Sequence, residues 1–223
     1  MRASTERGWP PQRYLAEGVA FVVTSMTARH HAEVRYGQDL VARTWMRDFR
    51  RGILSKRQVE LWCGGELVAE CTQQWAHVGP DLRPVRASEA LTSAFPQDDE
   101  RTPTVTLDRV EQPFDGLAHS FRFGTWQSWM DALGHANHPT YLEWCDEGTA
   151  RAAAAAGVDP HAIVPVCERI AWKGGVVAED QVAVETRMVG LTAGGDSVLR
   201  HRIGSWAKAT TVRRGDLSTL FSH

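Results

Sequence analysis

The sequence predicts an α+β chain built from two copies of one unit, each a helix followed by several antiparallel strands. Three observations carry that prediction. Residues 37–44 line up with 179–186, and 56–63 answer 196–203 in the same order. Pro11-Gln12-Arg13-Tyr14-Leu15 resembles His138-Pro139-Thr140-Tyr141-Leu142, and each opens an apolar helical stretch. Gly64-Gly65, between two strand-like runs, is a two-residue hairpin signal, because both residues take positive φ at little cost.

Taken in order, the first helix is expected over residues 12–29. Alternation at Val59, Leu61 and Cys63, and again at Val182, Val184 and Thr186, reads as half-buried antiparallel strands. A long returning strand should follow the hairpin, from Leu67 to Trp75. Residues 79–104, rich in proline and clustered charge, form the natural linker, which divides the chain into units 1–98 and 99–223. The second helix is expected from Thr140 to about Ala156, with Pro139 in its first turn, where a missing N–H costs nothing. Before the first helix only residues 1–10 remain, and they are not strand-like, so the first unit should lack its leading strand. An edge so exposed either stays bare or recruits a second chain, which makes a homodimer plausible.

Composition narrows the class. The 223 residues carry a net charge of −2, which gives no reason to expect nucleic acid or an anionic membrane as partner. No apolar run reaches the roughly 18 residues of a membrane span. Met1 to Arg7 has no apolar stretch behind it, so no secretory signal is read. Cys63, Cys71, Cys145 and Cys167 are widely spaced, and reduced thiols in a cytoplasmic protein account for them.

The chemistry concentrates in the stretch from Asp131 to Trp144, which sets one acid, two imidazoles and an amide in a short loop running into a helix. Free backbone N–H groups at the helix start, beside a carboxylate, are what hydrolysis of an acyl group requires. Asp131-Ala132-Leu133-Gly134-His135-Ala136-Asn137-His138-Pro139-Thr140-Tyr141-Leu142-Glu143-Trp144 resembles the D-x-x-G-H-x-N-x-x-x-Y-L-x-W signature of hotdog-fold thioesterases of the 4-hydroxybenzoyl-CoA and acyl-ACP type. Tyr36-Gly37-Gln38-Asp39-Leu40-Val41-Ala42-Arg43-Thr44-Trp45 and Gly65-Glu66-Leu67-Val68-Ala69 resemble further strands of that family.

The resemblance implies a tandem (double) hotdog fold, with two central helices each wrapped by an antiparallel sheet. It implies hydrolysis of acyl-CoA or acyl-carrier-protein thioesters without a cofactor or metal. Asp131 becomes the base or nucleophile, and His135 orients water or thioester. Asn137, His138, Thr140 and Tyr141 contact substrate or oxyanion, through the backbone N–H of His138 or Thr140. Aligning the two copies places Ser4 opposite Asp131, Gly8 opposite His135 and Pro10 opposite Asn137. The first copy therefore keeps scaffold without chemistry, and a single working site is expected in the second. The extended network of plant-type relatives is broken, because Leu133 stands at their asparagine and Gly175-Val176 at their Glu-Cys pair.

Other readings stay open at this point. A non-catalytic acyl-binding scaffold would keep the pocket without turnover. A metal hydrolase would use Asp131, His135 and His138 as ligands. A dehydratase rests on fold analogy alone. His30-His31 reads as a packed or solvated pair, and Cys145 as an inert buried thiol. Arg50-Arg51 with Lys56-Arg57 is a basic cluster suited to phosphates or to a solvated turn.

Overall fold

Residues 2–98, 104–205 and 215–222 are described by a computed structural model, the last of these as backbone only. The chain divides into two units, Met1–Thr106 and Leu107–His223.

The first unit opens with two short helices, α1 (Arg2–Glu6) and α2 (Pro11–Ala16). Four long strands follow: β1 (Ala20–His30), β2 (Leu40–Arg50), β3 (Leu54–Cys63) and β4 (Glu66–Val78). All pairings are antiparallel, and the spatial order is β2-β3-β4-β1. The hairpin between β3 and β4 turns at Gly64 and Gly65, whose φ values are +57° and +89°. That hairpin is the one expected from the sequence.

The first helix is shorter than the expected 12–29. Gly18, at φ +63°, ends it by a double carbonyl lock, its N–H donating to Leu15 O and that of Val19 to Tyr14 O. Beyond it the run Phe21-Val22-Val23-Thr24 is β-branched and aromatic, and such side chains fit a pleated surface better than a helix. Residues 20–30 are thus strand β1. The linker also holds structure. Helix α3 (Glu89–Ala94) is capped by the Ser88 hydroxyl accepting from Leu91 N–H, and Leu91 packs with Trp9, Met46, Ala87 and Phe95. Val105 N–H donates to the Thr72 hydroxyl, which ties residues 104–106 to the first unit.

No strand precedes α2 among the described residues. Strand β2 is therefore an edge. Gln97 bridges Met46 on its outer side and Asp98 N–H donates to Met46 O, but Leu40 to Thr44 is exposed.

The second unit is complete. Short β5 (Gln112–Pro113) and β6 (Ala118–Gly124) lead to helix α4 (His138–Ala155). Then come β7 (Val164–Ala171), β8 (Gln181–Leu191), β9 (Ser197–Ser205) and β10 (Gly215–Ser222). The sheet order is β7-β10-β9-β8, with β5 and β6 both pairing β8 on its far side, again all antiparallel. Helix α4 lies across β6, β8 and β9. It ends as α2 does: Gly157, at φ +74°, donates to Ala154 O and Val158 to Ala153 O.

At Gly148 the helix comes so close that an added Cβ would sit 2.5 Å from the Thr186 hydroxyl oxygen. Below it, His119, Thr186 and His201 are successive register partners across β6, β8 and β9. His201 is fully buried, its Nδ1 lies 2.9 Å from Thr186 Oγ1, and its Nε2 has no partner among the described residues. Burial pulls its imidazole down to about 4. No helix of the described residues is long and apolar enough to cross a membrane.

The buried imidazole makes stability depend on pH. In the unfolded chain His201 takes up a proton below about 6.5, whereas in the folded chain it stays neutral down to about 4. Its contribution is fully present above pH 6.5, falls as pH drops toward 4 and then levels off, for a loss of about 3 kcal/mol. Urea unfolding of the wild type and His201→Asn between pH 7 and pH 4 should show a steeper fall in the wild type. Equal slopes would count against this assignment.

Candidate active site

The loop before α4 is a tight hairpin closed on itself. Asp131 N–H donates to His135 O at 2.8 Å, Gly134 N–H to Asp131 O at 3.0 Å, and Met130 bridges Ala136. Gly134 takes φ +75°, which is why glycine stands there. Two further bonds anchor the hairpin, from Ala136 N–H to Val176 O at 2.7 Å and from Asn137 N–H to Trp129 O at 2.8 Å.

Asp131 is exposed. Its Oδ1 accepts from Leu133 N–H at 2.8 Å and from His135 N–H at 3.4 Å, an Asx-type cap of its own turn. The second oxygen, Oδ2, has no hydrogen-bond partner among the described residues. One oxygen is thus anchored and the other is open to a water or an electrophile.

At the helix start the backbone donors are unequal. Thr140 N–H is spent on Asn137 O at 2.9 Å, so it does not supply the oxyanion donor expected of it, and Pro139 has none. The His138 N–H has no acceptor among the described residues and lies at the positive end of the helix dipole. Asn137 is exposed and makes no side-chain cap bond, and no bond joins it to Asp131.

Three other groups of the loop and helix are held by neighbouring segments. The buried Tyr141 hydroxyl, read as a substrate contact, accepts from Val176 N–H at 2.9 Å and so fixes the wall of the site. The His135 ring lies close against Gly175, where any Cβ would collide with it. The His138 ring meets Trp172 edge-on at 5.7 Å. Burial lowers the His138 pKa, and the nearby Asp131 charge raises it in part. His138 is therefore neutral at pH 7 and within electrostatic reach of the carboxylate.

Sequence reasoning missed the segment that backs the loop. Residues 175–180 supply Gly175 beneath His135, Val176 to both Ala136 and Tyr141, and Asp180, whose Oδ2 accepts from Val177 N–H at 3.1 Å. Thr125 pins this segment through its hydroxyl, 2.7 Å from Val177 O. The position matched to the Glu-Cys pair of plant-type relatives does fall beside the loop, but it brings backbone rather than an acid or thiol. An aromatic band lies under the loop: Trp126 stacks on Trp129 at 5.1 Å, Trp129 meets Trp144 at 5.5 Å, and Trp144 meets Tyr141 at 4.9 Å.

Elsewhere, Cys145 is buried and its thiol pushed well up, first by burial, as suits an inert side chain. His31 Nε2 lies 3.1 Å from Glu70 Oε1. Of the basic residues at 50–57, Arg57 lies over the Trp75 ring and Lys56 lies 3.8 Å from Asp48. Among the described residues no three His, Cys, Asp or Glu side chains converge as metal ligands.

The order of strands, with a helix after the first strand of the complete unit, defines a hotdog fold present twice in one chain. Solved structures agree. A Lactobacillus plantarum protein described as an oleoyl thioesterase superposes with TM-score 0.75 at 14% identity, covering 99% of this chain and 82% of that one. An acyl-ACP thioesterase of Bacteroides thetaiotaomicron gives 0.71 at 12% identity, over 98% and 83%. The 12:0-ACP thioesterase of Umbellularia californica gives 0.68 at 13% identity, over 95% and 76%. At such identities the likeness establishes the fold. No protein-family model and no curated protein matches the sequence.

The contact between His135 and Gly175 is open to test. Gly175→Ala would push the imidazole off its seat and shift the loop, at a cost in the 1–3 kcal/mol range of overpacking. Thermal melting should show the loss. An unchanged melting temperature would mean that the ring does not rest there.

Proposed function

We propose that this chain hydrolyses acyl thioesters at the loop between Asp131 and His138. The observation that carries the reading is the pairing of an anchored carboxylate, with Oδ2 open, and an unspent N–H at the start of α4. Asp131 activates water against the thioester carbonyl, or attacks it directly, and the His138 N–H stabilises the developing oxyanion. The neutral His138 imidazole, within reach of the Asp131 charge, can take up or return a proton during turnover. His135, seated on Gly175, orients the water or the thioester, and Asn137 is exposed for contact with the pantetheine amide. Three thioesterase-named fold neighbours, each covering nearly the whole chain, support the choice of reaction. The thiol carrier is CoA or an acyl carrier protein, and the setting is cytoplasmic.

The unit of residues 1–98 supplies scaffold, and the unit of residues 99–223 supplies chemistry. Ser4, the counterpart of Asp131, lies in α1 and bonds Tyr14, so nothing acidic occupies that place. A second reading, an acyl-binding scaffold without turnover, is favoured by the turn-capping role of Asp131 Oδ1.

Asp131→Asn keeps the turn and removes the basicity. Hydrolysis of a panel of acyl-CoA and acyl-carrier thioesters, followed with a thiol reagent, should drop at least a hundredfold, with melting temperature unchanged. Ser4→Ala should stay within a few fold, and a strong chelator should have no effect. Native rates in Asp131→Asn would sink the mechanism. A wild type that binds acyl chains yet cleaves none would establish the scaffold.

We further propose that the bare stretch of β2 pairs with the same stretch of a second copy. Five exposed residues of unpaired edge, including Leu40 and Val41, are a template for strand addition. Light scattering should give a dimer, and Val41→Lys should weaken it. A monomer at every concentration would refute the pairing.

A further inference from the structure

The outer face of the second unit holds a groove that the proposed chemistry does not use. Gly148 of α4 approaches Val184 and Thr186, so strand alternation turns Glu185 and Arg187 to the opposite face. The buried His201 likewise turns Arg200 and Arg202 outward. Beside these side chains runs the segment from Val110 to Asp115, and together they line a half-open groove of about 450 Å³. That volume lies within the range of roughly 300–1,000 Å³ typical of small-molecule sites.

The groove wall is fixed by backbone. Glu111 N–H donates to Leu191 O at 2.9 Å, Phe114 N–H to Val189 O at 3.1 Å, and Gly116 N–H to Met188 O at 3.1 Å. Gly190 lies so close to the Gln112 carbonyl and the Val110 side chain that no Cβ would fit. The site is thus preformed.

Its charges are paired except at Arg200. Arg200 is the direct register partner of Arg187, and like charges directly opposite each other are unfavourable. Arg187 is bound by Asp115, and Arg202 lies 4.0 Å from Glu185. Arg200 has no hydrogen-bond or ion-pair partner among the described residues, and across the β9–β10 ladder its register partner is the uncharged Ser218. Among the described side chains, the groove is lined by three guanidinium groups and two carboxylates, beside an apolar wall of Val110, Pro113, Phe114 and Val189, and Asp216 is the register partner of Arg202 on the neighbouring strand.

We propose that this groove binds an anionic amphiphile, a molecule with one carboxylate or phosphate head on a short apolar body. The head bridges Arg200 and Arg187, whose planar forks suit either anion, and the body lies against Phe114 and Val189. Binding would relieve the repulsion between the two arginines. The inference is independent of the thioesterase reading, because occupancy is measured without turnover.

Calorimetry on the full chain with decanoate, decyl phosphate, decanol and inorganic phosphate tests it. Decanoate, decyl phosphate or both should bind, and the one that binds identifies the head group. Decanol and inorganic phosphate should bind at least tenfold more weakly, since each lacks one half of the chemistry. Arg200→Gln, an exposed substitution that leaves the fold intact, should weaken binding at least tenfold, while thioester hydrolysis keeps its wild-type kcat and KM. Phe114→Ala should weaken the amphiphile several fold and leave inorganic phosphate unchanged. Carboxyl-labelled decanoate, followed by NMR, separates this event from any binding elsewhere, because only the groove resonance should vanish in Arg200→Gln. Binding that survives Arg200→Gln undiminished would overturn the proposal, as would inorganic phosphate binding as tightly as decyl phosphate.

Discussion

The second unit depends on how closely α4 lies on its sheet. Gly148 carries no side chain at the point of nearest approach, where Thr186, Val184 and the ring of His201 meet the helix. That contact sets the height of the whole helix. Its N-terminus then places His138 and Pro139 at the loop, and Tyr141, one turn in, reaches Val176. A bulkier residue at Gly148 would lift the helix and carry the loop with it, because packed interiors transmit strain rather than absorb it. The contact also buries an imidazole without a full set of partners, so close packing here is coupled to acid sensitivity.

The site is built from backbone as much as from side chains. Asp131 is held by the amides of its own turn, His135 by the absence of a side chain at Gly175, and Tyr141 by the amide of Val176. Under the function proposed above, rigid seats of this kind hold the acting groups in place before substrate arrives, which is the condition for electrostatic stabilisation of a transition state. The aromatic band beneath, from Trp126 through Trp129 to Trp144 and Tyr141, gives the loop a stiff apolar floor.

The two units show what one strand is worth. In the second, β6 pairs with β8 over seven residues and covers its edge. In the first, among the described residues, the matching edge of β2 is met by Gln97 and Asp98 at Met46, and Leu40 to Thr44 is exposed. The first unit compensates locally: Trp9, Leu91 and Phe95, drawn from the N-terminal turns and the linker helix, build a small core at one end of the sheet.

By itself the sequence determined the two-fold repeat, the strand alternation, the Gly64-Gly65 turn and the Asp131–Tyr141 loop. These are local patterns, set by residue type at fixed spacing. Gly18, where the expected helix over residues 12–29 stops, is a signal of the same local kind, and β1 begins just beyond it. Only the tertiary structure decided which helix N–H is unspent, that Tyr141 is bound to Val176, and that Gly175 is the seat of His135. It alone set Arg200 opposite Arg187 beside residues 110–115. Each of these joins residues from separate segments, and their distances follow from how α4 and the 110–116 segment dock on the sheet, a quantity that no spacing along the chain encodes.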